Sequence, residues 1–164
     1  MRDPRVDALA RILVRYSTRV GEGETCVIDG TLAAEPLVAA VYEEVLRAGG
    51  HPVLAMSYEG QSASYFRLAS DAQLDWVSPM SKWAAEESDC RIAIGADTNT
   101  RQLSSVPPER QTRRQAATKD LMLKTMQRSA EAFCQLLSGS PPSARQAEKK
   151  KSSESPRLIS ASAA

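Results

Sequence analysis

The stretch TCVIDGTLAAEPLVAAVYEEVLRAGGHPVLAMS, residues 25–57, decides the fold. It opens on Thr25-Cys26-Val27-Ile28, a short apolar run rich in β-branched residues, which suits a buried strand. Asp29-Gly30-Thr31 follows as a turn signal. Residues 35–48 then carry Leu37, Val38, Val41, Tyr42, Val45 and Leu46 on one helical face, with Glu43, Glu44 and Arg47 opposite. Gly49-Gly50 stands where such a helix stops, and Pro52 to Ser57 reads as a second strand. Strand, helix and strand make a βαβ unit. Its crossover forces parallel pairing, with a right-handed connection.

Working outward, Val6, Leu9, Ala10, Leu13, Val14 and Tyr16 form an apolar stripe over residues 4–19, behind a capping Asp3 and a Pro4 at the first helical position. Gly21-Glu22-Gly23-Glu24 turns the chain into the first strand. Residues 60–88 read as short, broken helices, and Cys90 to Ala96 as a third strand. Beyond Val106-Pro107-Pro108, a long helix is expected from about Glu109 to Leu137, with Ala116, Leu121, Leu123, Met126 and Ala130 among its apolar positions. Residues 138–164 hold eight serines, three prolines and the run Lys149-Lys150-Lys151, a composition that cannot offset its ordering entropy. The expected fold is α/β: a small parallel-sheet, Rossmann-like sandwich, followed by a long helix and a disordered tail. The units are an α/β domain over residues 1–110, the helix over 111–137 and the tail over 138–164. Three strands are few for such a sheet, so either a strand is hidden in this reading or other chain completes the sheet.

Composition narrows the chemistry. In a chain of 164 residues there is one histidine, His51, so a centre built on two or three histidines cannot form within one copy. Three widely separated cysteines suit a reducing compartment rather than a disulfide framework. No apolar run reaches the ~18 residues of a membrane span. The N-terminal residues lack the apolar core of a secretory signal. Charge is uneven. Residues 1–97 hold nine Lys and Arg against fifteen Asp and Glu, and residues 98–164 hold twelve against five. No aromatic lies between Asp97 and Ala132 to stack on bases, so the basic excess argues for a solvated or acid-pairing helix rather than nucleic acid.

Open parallel sheets take ligands beyond the carboxyl ends of their strands. That rule nominates Asp29, Gly30 and Thr31 after strand one, Ser57, Tyr58 and Glu59 after strand two, and Asp97, Thr98 and Asn99 after strand three. Asp29, Thr31, Asp97 and Asn99 are the candidate ligand-facing rim, although the same residue types serve as ordinary loop residues. Gly21-Glu22-Gly23-Glu24 precedes a strand and is acidic, so it is a turn rather than a phosphate loop. Cys26 and Cys90 read as small buried hydrophobes. His51 has no evident catalytic partner.

Two longer stretches carry a family resemblance. One runs from Pro36-Leu37-Val38 through Glu44-Val45-Leu46-Arg47-Ala48-Gly49-Gly50 to His51-Pro52-Val53. The other is Ala96-Asp97-Thr98-Asn99-Thr100-Arg101-Gln102-Leu103-Ser104, continuing through Val106-Pro107-Pro108-Glu109-Arg110. In order and spacing they resemble the N-terminal domain of the M29 metallo-aminopeptidases, the aminopeptidase T family, over about residues 1–131. The resemblance implies a cytoplasmic, homodimeric exopeptidase that removes N-terminal residues from peptides with two divalent metal ions, zinc or cobalt. The ligands it implies belong to a larger C-terminal domain. No position here matches a metal-binding motif, so the expectation is no catalytic, cofactor-binding or metal residue in this chain. Past residue 131 the resemblance fades, as in a truncated or frameshifted product, and the chain alone is expected to be inactive. A standalone α/β binding or interaction module is the alternative.

Overall fold

The computed structural model describes residues 3–96, 103–137 and 157–162. Helix α1 spans Pro4–Arg11 and continues as a wider π-helical segment over Ile12–Ser17. Strand β1 spans Thr25–Thr31, a short 3₁₀ turn covers Leu32–Ala34, and α2 spans Glu35–Arg47. Strand β2 (His51–Ser57) precedes three short helices, α3 (Gln61–Leu68), α4 (Asp71–Asp75) and α5 (Pro79–Glu86). Strand β3 (Cys90–Gly95), the long helix α6 (Pro108–Leu137) and β4 (Arg157–Ser162) complete the order.

The sheet order is β2-β1-β3-β4, and every pair is parallel. The β1–β2 and β2–β3 connections run in opposite directions across the sheet. Right-handed crossovers therefore put α2 on one face and α3–α5 on the other. In register, Ile28 of β1 stands between Leu54 of β2 and Ile92 of β3, and Cys26 stands opposite Cys90. These residues share one face because parallel partners point the same way. Ile28, Ile92, Cys26 and Cys90 pack with Ala10, Leu13 and Val14 of the first helix and with Val38, Val41 and Val45 of α2. Leu9 and Tyr16, also on the expected stripe, stay exposed. The two cysteines, remote in sequence, are thus cross-strand neighbours, both fully buried and both free thiols.

Two features correct the sequence reading. The Asp29-Gly30-Thr31 turn is instead the last part of β1, which pairs with β2 through Thr31. Tertiary contact overrides the local turn preference. Asp29 gains an ion pair with Arg91, and Gly30 lets α2 approach the strand. The second is β4. Residues 157–162 of the segment read as disordered pair with β3, with Ile92 opposite Ile159, and supply the strand that the sheet lacked. The remainder of that segment lies outside the described residues.

At Gly30 helix α2 approaches the sheet closely. A Cβ there would stand 2.5 Å from Cγ2 of the buried Val38 and 3.3 Å from the Met56 sulfur. Valine is short and its helix is fixed, so it cannot swing away. Gly30→Ala is expected to cost about 1–3 kcal/mol by overpacking, read as a lower urea midpoint at constant slope. Gly49 serves differently. It ends α2 with φ +80°, a conformation that favours glycine.

A buried carboxylate joins the first helix to α2. Glu44 is only 6% exposed. Its Oε1 accepts from Arg15 Nε at 2.8 Å and its Oε2 from Arg47 Nη1 at 3.3 Å. Burial pushes this carboxyl up, but the hydrogen bonds and charges of Arg15 and Arg47 outweigh it and hold the group below its ordinary value.

Candidate functional site

The sequence-derived rim is largely used by the sheet itself. Asp29 lies inside β1, and its Oδ2 accepts a hydrogen bond from Arg91 Nε on the neighbouring strand. The two side chains are each about three-tenths exposed. Thr31 Oγ1 accepts from the Ala96 amide at 3.1 Å and so ties the ends of β1 and β3 together. Ser57 Oγ donates to the Gly30 carbonyl at 3.2 Å, making the same kind of tie to β2. Asp97 and Asn99 lie outside the described residues. His51 is exposed at the start of β2, its amide donating to the Glu24 carbonyl at 2.7 Å. Among the described residues no three His, Cys, Asp or Glu side chains stand close enough to hold a metal ion.

A concave surface lies elsewhere, where α3 and α4 meet α6. Serine caps α4 in a capping box: the Gln73 amide donates to Ser70 Oγ at 3.3 Å and the Ser70 amide to Gln73 Oε1 at 2.7 Å. Tyr65 OH donates to the Gln73 carbonyl at 2.6 Å, joining α3 to α4. Three arginines near the start of α6 then fasten this pair. Arg110 Nε donates to the Phe66 carbonyl at 2.7 Å, and its Nη2 donates to the Ala69 carbonyl. Arg113 binds Asp75 through Nε and Nη2 at 2.8 and 2.6 Å, and Asp71 through Nη1 at 2.6 Å. Its guanidinium holds the Asp75 carboxyl below the ordinary range. Arg114 Nη1 donates to the Leu74 and Trp76 carbonyls at 3.1 and 2.5 Å, and its guanidinium carbon lies 5.4 Å from the centre of the Tyr65 ring. Farther along, Lys124 pairs with Glu86 of α5. The basic character of α6 thus meets acidic groups and carbonyl ends within the same chain.

These contacts frame an open groove of about 910 Å³. Tyr58, Tyr65, Phe66, Leu68 and Trp76 supply its apolar wall, with Arg114 at one side. Tyr65 and Phe66 meet edge to face, with ring centres 5.7 Å apart. The rim is well exposed, Leu68 at 74% and Trp76 at 60%. Among the described positions that the sequence nominates, Tyr58 lines this groove, and its other lining residues lie on α3, α4 and α6 or at their ends. Its signal was aromatic density, since four of the eight aromatic residues fall between positions 58 and 76.

The arrangement is a parallel α/β layer with an arginine-fastened helical cover. The profile of the thermophilic metalloprotease family (M29) matches residues 2–159, almost the whole chain. The chain belongs to the M29 family. The match continues past residue 131, where the resemblance fades on inspection, and reaches into β4. No curated protein matches by sequence. Among solved structures, wild-type AmpT from Thermus thermophilus superposes with a TM-score of 0.63 at 16% identity, covering 98% of this chain and 36% of that one. At that identity the likeness speaks to fold. The chain therefore spans about a third of the length of this M29 structure.

Proposed function

We propose that this chain is the N-terminal α/β portion of an M29-type metallo-aminopeptidase, a scaffold for removing N-terminal residues from peptides. The carrying observation is the M29 match over residues 2–159 in a chain spanning 36% of the solved relative. In this reading the enzyme is cytoplasmic and homodimeric, and two divalent metals, zinc or cobalt, are held by a further catalytic portion. No helix among the described residues is long and apolar enough to cross a membrane.

Among the described residues, no group of side chains fits a two-metal centre. The sequence has a single histidine, Cys26 and Cys90 are sealed in the core, and Asp29 is occupied by Arg91. No catalytic step is therefore assigned to this chain's side chains. Their part is to build a rigid sheet and a shaped helical surface. The expected result is that purified chain with added Zn²⁺ or Co²⁺ releases nothing from a leucyl p-nitroanilide above the metal-only blank. Hydrolysis that scales with protein concentration and survives further purification would refute the reading.

A second reading, a standalone binding or interaction module, draws support from the aromatic groove. Heating separates the two. A self-sufficient module melts cooperatively, whereas a scaffold stripped of its neighbour exposes apolar surface and aggregates on warming.

A further inference from the structure

We propose that the groove between α3, α4 and α6 binds the C-terminal residue of a peptide, its side chain on the aromatic wall and its carboxylate on Arg114. The inference rests on the peptide-processing reading only for supposing that peptides reach the chain. Binding itself needs neither metal nor catalysis.

Four observations select this occupant. The wall is apolar and aromatic, and Tyr58, Leu68 and Trp76 are more than half exposed, an arrangement stabilised by covering them with an apolar side chain. Arg114 is the sole charged side chain on the wall among the described residues. Its Nη1 is spent on the Leu74 and Trp76 carbonyls, which fixes the guanidinium and leaves Nε and Nη2 without a hydrogen bond among those residues. A fixed guanidinium with two spare donors is suited to a carboxylate. The carboxylate belongs to an acylated residue, not a free amino acid, because no acidic side chain lines the groove to receive an ammonium group. Gln61 and Gln73 also line it. Each uses Oε1 on a backbone amide, which leaves the Nε2 amides as donors to a peptide carbonyl.

The test is a titration of the purified chain, carrying Trp83→Phe so that Trp76 is the sole tryptophan reporter. The ligands are N-acetylphenylalanine, its C-terminal amide and free phenylalanine. The acid is expected to quench Trp76 saturably, with the amide at least about tenfold weaker, the effect of losing a charge-assisted hydrogen bond. Free phenylalanine should bind more weakly than the acetylated acid. Arg114→Gln should abolish the preference for acid over amide. Arg114 also holds backbone, so Leu68→Glu provides a second variant. It lies at an exposed rim position, should leave the circular dichroism unchanged and should repel the carboxylate, cutting affinity by about tenfold or more. Equal binding of acid and amide overturns the proposal, as does binding untouched by Leu68→Glu, or no binding of any ligand. A dimer that Leu68→Glu dissociates, with no response to ligand, would overturn it by assigning the groove to a second copy. Because no hydrolysis is measured, failure here leaves the aminopeptidase reading standing, and failure there leaves this one.

Discussion

Ile28→Ala is expected to lower the unfolding free energy by about 2–5 kcal/mol, seen as a shifted urea midpoint with unchanged slope. Ile28 has no exposed surface and sits on an interior strand of the sheet. It has an apolar strand neighbour in register on each side, Leu54 and Ile92, and α2 packs above it. Strands on both sides and a helix on top leave no free direction in which to collapse, so most of the cavity remains. Leu54 provides the internal comparison. It lies one strand away on the same face, but β2 is an edge strand and Leu54 is 45% exposed. Leu54→Ala should cost clearly less, because part of its surface already meets water.

The second large effect concerns a reversal of sign. In the native protein Glu44 has its carboxyl held below the ordinary value by Arg15 and Arg47. Its stabilising contribution is therefore complete above the unfolded pKa, near 4.3. It is lost as pH falls through the lower folded value. Changing both Arg15 and Arg47 to methionine leaves the carboxylate buried with neither cation. Burial alone then acts, and it raises the folded pKa above the unfolded one. At pH 7 the charge becomes a cost of about 2–3 kcal/mol, less than for enclosed pairs because both arginines are half exposed. The double variant should recover stability relative to the native protein as the buffer is taken from pH 7 toward pH 4. Urea melts across that range measure this directly. Parallel curves for the two proteins would show that Glu44 is not the group responsible.

Much of the architecture could be read from residue patterns. The β1–α2–β2 unit was legible because two short continuous apolar runs flank a segment whose apolar residues recur at about 3.6, with Gly49-Gly50 marking the stop. Asp29-Gly30 misled because a turn signal is local, whereas Arg91 and Val38, which reward an extended chain there, come from other elements. β4 was hidden for a similar reason. Leu158-Ile159 is a brief apolar pair in serine-rich surroundings, and a strand this short is defined by the open edge of β3 rather than by its own composition. The arginines of α6 were visible as charge, but their targets were not. Four of their seven hydrogen-bond acceptors are backbone carbonyls at the C-terminal ends of α3 and α4, which carry no residue-type signature. The candidate rim fared accordingly. Asp29 and Thr31 have the polar groups a ligand site needs, and the sheet uses both. The groove combines residues from three helices, and only the fold brings them to one surface.

The place of β4 has a consequence for how the molecule comes into being. β1, β2 and β3 are complete once Gly95 has been made, and α2 can already seal one face of that three-stranded sheet. The hydrogen-bonding edge of β3 stays open until Arg157–Ser162 arrive, after all of α6. A nascent chain thus passes through a long interval with a bare parallel edge, the kind of surface on which neighbouring chains pair wrongly. Translation speed across residues 96–156 sets how long that interval lasts. A ribosome pausing there would turn a sound sequence into an aggregating one without changing a single residue.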